Sequence, residues 1–482
     1  METMNVGFQP ELRVLSEHDK EKIFNAALRV LEAGGMRLLH AEALRLLEDA
    51  GCRVEEGGNV FMPRELVEAA LASAPNNIRI FDREGKHAMD LGGRRAYFGT
   101  GSDLMWSFDA GKNERHRASL ADVARAAKLC DALPNIDFIM SFAHPHETHP
   151  DAAYLESFRC MAANSTKPIV NTAKDRGDLS RMWEIGTIFR GSEARHTAEP
   201  YTIHYAEPIS PLKHPHASVD RLMFCAEKGM PVIYSPAPIA GSTAPMTIAG
   251  HVVQGLAESL FGLVIHQLSR KGAPFLMGIG AAVLDMSTSQ CSYNAPEYLM
   301  AYLTAVEMSH FLNVPNWGYA GTSDSQIPDG QATFEAGLLT YMSVVAGSNL
   351  NHDIGYLDFG LTGSLEMIVI MDEIIDQYRR MQQGVPVNEE TLAVEVIAEG
   401  GRKGEFLSHP HTLAHLRETQ WRPGLMNRLG FEQWDRAGRR DLLARAGQRV
   451  SELMASHAPV PVEERKEKLV QACVQAFEQG LL

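Results

Sequence analysis

From residue 97 onward, short apolar runs alternate with longer amphipathic stretches, and the alternation repeats eight times. The runs cover 97–101, 136–142, 168–173, 201–207, 231–236, 274–280, 314–320 and 348–353. Each is short, rich in branched or aromatic residues and bounded by turn formers, which is the composition of a buried strand. Several are entered through proline (Pro168, Pro231, Pro274, Pro315), which a strand tolerates at its first residue. Between the runs, apolar positions recur at helical spacing. In 119–132, for example, Ser119 can cap, Asp122 sits in the first turn, and Val123, Ala126, Ala127 and Cys130 share a face. Eight strands, each followed by a helix over about 250 residues, predict an α/β fold of the (β/α)8 TIM-barrel type. An open doubly wound sheet would carry a Gly-x-Gly-x-x-Gly turn after its first strand, and this chain has none there.

The flanks read differently. Ser16 can cap a helix through Ile23, Ala27, Val30 and Leu31; Ala43, Leu44, Leu46 and Leu47 build a second before Gly51, and a third spans 64–74 ahead of short polar strands at 78–90. The predicted organisation is an N-terminal helical α+β cap over 1–95, a barrel over 96–383 that ends in a long helix, and a charged helical extension over 384–482. In that extension Trp421, Phe431 and Trp434 have something to bury, against the barrel or a second subunit, which leaves both a monomer and a homo-oligomer open. A formal net charge of −15 argues against a nucleic-acid surface. Six scattered cysteines without a Cys-x-x-Cys pair indicate neither a disulfide framework nor a zinc cage. No cationic, apolar leader and no uncharged apolar stretch of bilayer length is evident, so a cytoplasmic protein that is neither exported nor membrane-spanning is expected.

In a parallel barrel the loops that follow the strands share one mouth, where ligands bind. The stretch 348–364, SNLNHDIGYLDFGLTGS, crowds His352, Asp353, Tyr356, Asp358 and Phe359 at the end of the last strand. The loops contain no Gly-x-Ser-x-Gly elbow, P-loop or His-Glu-x-x-His helix. They do contain aromatics. Tyr97, Phe98, Trp106, Tyr205, Tyr234, Tyr293, Trp317, Tyr319 and Tyr356 all fall at or just past strand ends, with Asp103, Glu207, Asp324, Asp329 and Asp353 nearby. Aromatic faces with acidic neighbours attract a cation, above all a quaternary ammonium that has no N–H to satisfy, although any one ring could equally fill the barrel wall. Three His-Pro-His triplets (His144/His146, His214/His216, His409/His411) offer a competing metal site. Proline interrupts each pair and the third triplet lies beyond the barrel, so the reading favours no metal bound by this chain.

Longer matches narrow the chemistry. ALPNIDFIMSF (132–142), TKPIVNTAKD (166–175), YAEPISPLKH (205–214), FCAEKGMPVIYSPAPIAGSTAPMTIAG (224–250), GTSDSQIPDGQA (321–332), NHDIGYLDFGLTGSLE (351–366) and HTLAHLRETQWRP (411–423) run through most of the chain. On these segments the protein resembles the trimethylamine methyltransferase family, in the bacterial branch without pyrrolysine that contains the glycine betaine:corrinoid methyltransferases. Archaeal members carry an in-frame pyrrolysine, whereas every residue here is one of the standard twenty. The resemblance implies a (β/α)8 barrel that passes a methyl group from a methylated amine to the Co(I) of a corrinoid (cobalamin-type) cofactor. The chain lacks the Asp-x-His-x-x-Gly signature of corrinoid-binding domains, so the cobalt is expected on a partner corrinoid protein. In such an SN2 transfer the amine leaves neutral, so no catalytic acid or base is expected and positioning does the work.

The resulting reading is transfer from glycine betaine, giving dimethylglycine. Tyr97, Tyr205, Tyr356 and Phe359 are the candidates for an ammonium cage. His352, with Asn351 or backbone N–H groups, is the candidate for the substrate carboxylate, and Asp324 and Gln331 for the corrinoid approach. The competing readings are the same chemistry on carnitine, proline betaine or γ-butyrobetaine, a metal-dependent barrel hydrolase or lyase built on His144, His146 and His214, and a non-catalytic binding protein.

Overall fold

In the computed structural model, which describes residues 11–478, parallel pairing passes without a break around eight positions. Tyr97–Phe98 pairs with Leu350–His352, which pairs with Trp317–Tyr319. A bridge from Asn316 to Met277 leads on to Phe275–Met277, and the ladder continues through Val232–Tyr234 and Thr202–Ala206 to Ile169–Asn171. Bridges from Ile169 to Ile139 and from Phe138 to Gly99 close the ring. Each strand lies beside its neighbour in sequence, so the fold is the TIM-type barrel expected from the eight runs.

Strand residues alternate between the lumen and the helical shell. Phe138, Val170, Ile203, Ile233, Leu276, Trp317 and Leu350 form one buried cluster with Ile78, Ile80, Met89 and Leu91. The last four belong to the hairpin Asn77–Phe81/His87–Gly92, whose alternating apolar face plugs the end of the barrel where the strands begin. That end is therefore closed and the other carries the loops.

The first helix, Glu17–Arg29, is capped by Ser16, whose hydroxyl accepts the Asp19 N–H. The strand Met36–Leu38 pairs in parallel with Lys213–His214, in the loop after the fourth barrel strand, and so ties the N-terminal region to the mouth side. Helix Leu120–Ala132 starts in a capping box of Ser119 and Asp122. Helix Ile248–Ser269 corrects one expectation: by length and composition it could cross a bilayer, although the sequence reading finds no such stretch. Most of it is buried, and its Glu258 accepts from the Ser210 hydroxyl and the Leu212 N–H, so here it serves as a core helix of the shell.

Helix Leu365–Gln382 runs the full height of the barrel. It is capped at the mouth by Ser364, and near its other end Arg379 grips Asp137, just before the second strand, at 2.9 and 2.7 Å.

Candidate active site at the barrel mouth

One layer above the aliphatic cluster the inward positions turn aromatic and polar. Trp317 and His352 stack with ring centroids 4.1 Å apart, Tyr319 lies 4.7 Å from His352, and Tyr205 lies 5.8 Å from Trp317. Tyr298, from helix Pro296–Phe311, meets Tyr319 edge-on at 6.0 Å and Tyr293 at 5.5 Å. Tyr356, from the loop after the last strand, donates its hydroxyl to the Ser102 carbonyl at 2.6 Å. A side chain on Gly101 would collide with both the Tyr356 hydroxyl and the Asp353 carboxylate, so this glycine is what lets the two close around the first strand's end. Gly101→Ala is expected to lower kcat/KM about 100-fold by displacing both groups, a misplacement on the order of 1 Å; steady-state rates checked against an unchanged circular dichroism spectrum measure this.

Asp353 is the electrostatic centre of this wall. Burial pushes its carboxyl well above the usual carboxylate range. Tyr205, Tyr293, Tyr298, Tyr319 and Tyr356 are all driven upward, by burial first and then in part by the charge of Asp353. Its backbone is left-handed at φ 78°, as are Asp103, Phe142, Asp358 and Phe359 in the loops after the first, second and eighth strands. Strained non-glycine residues gathered at one mouth are the mark of a site the fold holds in place. His352 donates Nδ1–H to the Gly318 carbonyl at 2.7 Å, which leaves Nε2 without a proton, 3.3 Å from Asp353 Oδ1. Burial pushes the imidazole down to about 3, so it is neutral, beside a carboxyl that burial also drives toward its neutral form.

Glu207 faces the same space. It is exposed by area, yet enough protein crowds around its carboxyl to raise it, against the Tyr205 hydroxyl bonded to it at 2.9 Å and the nearby Arg221, as in a solvent-reached recess. Asp103 sits opposite, at ion-pair distance (3.7 Å) from His144, and raises that imidazole. Among the described residues, neither Asp353 nor Glu207 forms an ion pair with lysine or arginine. One cation stands at the edge. Arg221, from helix His216–Lys228, donates Nη1 to the carbonyls of Ala173 (2.7 Å) and Lys174 (2.6 Å) at the end of the third strand, while its Nε is buried with no partner. Its charge reaches Glu207 and Tyr154.

The recess therefore gathers Tyr205, His352 and Tyr356 from the residues singled out in the sequence, and half-buried Phe359 follows on the same loop. Two of the others are corrected. Tyr97 lies at the plugged end, its hydroxyl accepting the Asp90 N–H of the hairpin at 3.1 Å. Asn351 is fully buried and points into the shell: its amide donates to the carbonyls of Tyr97 and Ser348, and its oxygen accepts from Tyr302. Asp324 holds the loop at 292–295 through the Ser292 hydroxyl and the Tyr293 N–H, which leaves it a positioning role in the rim. Gln331 is exposed and bonded to Glu335 on its own helix.

The histidine triplets do not converge. His144 faces Asp103, His214 bonds the Tyr234 hydroxyl in the shell at 2.8 Å, and His216 stacks on His40. Among the described residues no three His, Cys, Asp or Glu side chains form a metal-binding group. Period-two counting separates inward from outward positions among the residues named from the sequence. If Ile203 and Tyr205 point inward so does Glu207, and if Trp317 does so does Tyr319. If His352 does, Asn351 does not.

Around the recess, Met105, Ile209, Met246, Met286, Ile327 and Leu361 stand exposed on successive loops. An apolar rim of this kind marks a docking face.

The sequence profile of the family described as trimethylamine methyltransferase (MTTB) matches residues 3–479. The trimethylamine methyltransferase MttB of Desulfitobacterium hafniense (strain DSM 10664 / DCB-2) is 29% identical over 464 residues, covering 96% of this chain and 93% of that protein. A glycine betaine methyltransferase of Desulfitobacterium hafniense (strain Y51) is 26% identical over 472 residues, covering 97% of each. Among solved structures, the monomethylamine methyltransferase MtmB of Methanosarcina barkeri superposes with a TM-score of 0.53 at 12% identity, covering 99% of this chain and 89% of that one; the likeness is one of fold.

Proposed function

This chain belongs to the trimethylamine methyltransferase family, and from that premise we propose that it moves a methyl group from a quaternary amine, glycine betaine, to the cobalt of a corrinoid carried by a partner protein. The observation that carries the substrate class is the recess itself: two inward carboxyls, Glu207 and Asp353, neither ion-paired with lysine or arginine among the described residues and ringed by tyrosines. Empty, burial in this arrangement favours the neutral form of Asp353. A permanent cation suits it, because the ring faces attract the charge and the carboxyls neutralise it without needing an N–H. A second group supports a zwitterion over a plain amine: Arg221, whose charge reaches Glu207 and whose buried Nε–H has no partner, is the candidate donor to a carboxylate. It replaces Asn351 and the His352 N–H as the carboxylate donor in this reading.

The corrinoid, when its carrier docks, supplies a low-valent cobalt nucleophile that accepts the methyl group. The apolar rim from Met105 to Leu361 fits such a carrier protein. The tyrosines and Trp317 hold the ammonium, the acids fix which face it presents, and the closed bottom leaves the mouth as the way in. The bonding pair stays on nitrogen and dimethylglycine leaves neutral at nitrogen, so no side chain has to move a proton there.

Charge coupling gives a pH signature. Burial raises Asp353 and Glu207 in the free protein, and a bound cation favours their ionised forms, so binding releases protons. Affinity for glycine betaine should therefore rise with pH while these carboxyls are protonated and level off above their free-state pKa. Titration calorimetry in two buffers of different ionisation enthalpy should report net proton release; net uptake would count against the assignment. The function itself is tested by mixing the protein with reduced cobalamin and each amine, and inactivity with every quaternary amine would overturn it.

A further inference from the structure

The loop after the first barrel strand carries a two-stranded hairpin, Trp106–Asp109 with Glu114–Arg117, on the rim of the mouth. Its inner strand continues the site loop: Trp106 pairs in parallel with Thr362 and donates its N–H to the Leu361 carbonyl at 3.1 Å. Its outer strand is exposed along its whole length, and among the described residues no further strand lies beside it. Alternation puts Arg115 and Arg117 on one face of that strand. Both lean over the Trp106 ring, with guanidinium carbons 4.6 and 5.1 Å from its centroid. His116 turns the other way, against Asp122 at 3.1 Å. Arg115 is also held by Asp358 of the site loop at 2.6 Å, whereas Arg117 forms no ion pair among the described residues. Met105 and Leu361, exposed members of the apolar rim, adjoin Trp106.

We propose that this pair of guanidinium groups is the electrostatic half of the face on which the corrinoid carrier docks, and that it takes acidic side chains on the carrier's surface. The inference rests on the methyl-transfer reading above. Two guanidinium groups stacked on one indole have little rotamer freedom left to lose, and each keeps a planar fork of donors that matches a carboxylate. The rest of the molecule gives the pair its selectivity. On a chain with a formal net charge of −15, an acidic partner is repelled in general and drawn to the basic spot, which decides where and in which orientation it lands. The position fits that role. The hairpin is continuous with the apolar rim that the carrier has to cover, and the bond from Arg115 to Asp358 ties it to the loop that bears Asp353 and Tyr356.

The test combines binding with methyl transfer, using the full chain. Binding is read by interferometry against a corrinoid protein loaded with cobalamin that the wild type methylates. Transfer is read with free Co(I) cobalamin and with Co(I) cobinamide, which lacks the nucleotide tail and its phosphate. Arg117→Glu is expected to weaken carrier binding about tenfold at low ionic strength, with the loss shrinking as KCl is added. Arg117→Lys should keep most of the affinity, and the thermal midpoint and both free-corrinoid rates should hold in each variant. Wild-type affinity for the carrier should itself fall with KCl, which tests the charge without any substitution. Carrier binding that ignores both Arg117→Glu and salt would overturn the inference. A loss seen with free cobalamin but not cobinamide would assign the pair to the phosphate instead, and an equal loss with both free corrinoids would make Arg117 a support of the recess. A wild type that methylates neither free corrinoid would instead overturn the methyl-transfer reading itself.

Discussion

Asp353→Asn is expected to lower kcat/KM for glycine betaine by about 100- to 1,000-fold while leaving the fold intact. Removing one member of a largely desolvated charge pair costs about 3–4 kcal/mol, and each 1.4 kcal/mol is tenfold. The variant separates function from structure because the empty site already favours a neutral Asp353: burial raises its carboxyl, beside an imidazole that burial keeps neutral. Asparagine copies that neutral form in size and polarity. The thermal midpoint should therefore hold or rise slightly, and the proton release measured by calorimetry should shrink. A variant that unfolds, or that keeps wild-type kcat/KM, would show that Asp353 is a structural group and not the counter-ion.

Arg221→Met addresses the other end of the substrate. Loss of a charged hydrogen bond to a carboxylate is worth about 2–3 kcal/mol, so KM for glycine betaine should rise about 30- to 100-fold. Trimethylamine and other amines without a carboxylate should be unaffected. Arg221 also holds the carbonyls of Ala173 and Lys174, so a purely structural role would depress every substrate together. Comparing the two amines in one variant distinguishes these outcomes, and partial rescue by Arg221→Lys would support a charge at that position.

Much of the architecture is legible from local pattern. Short buried apolar runs, several led by proline, separated by amphipathic helices fix strand number and order, and some of those helices announce their start with a cap, as at Ser119 and Asp122. Depth along the strand is not legible so directly. Tyr97 and Tyr205 look alike in sequence, but one stands at the foot of the first strand against the hairpin and the other near the head of the fourth. Asn351 and His352 are adjacent, and pleating sends them to opposite sides of the sheet, which the alternation from Leu350 encodes. Arg221 leaves no local signal, because its guanidinium reaches back from a helix to the end of a different strand. The hairpin at 77–92 reads as polar strands because only one face of each is apolar, and nothing in that pattern says the face closes a barrel.

The most direct measurement is optical. Purified protein is mixed with Co(I) cobalamin and, in parallel, glycine betaine, carnitine, proline betaine, γ-butyrobetaine and trimethylamine, and the cobalt spectrum is followed. The account expects loss of the Co(I) bands and growth of methyl-Co(III) absorbance with glycine betaine, with one dimethylglycine formed per cobalt methylated. An unchanged cobalt spectrum with every quaternary amine, or turnover of trimethylamine alone, would contradict it.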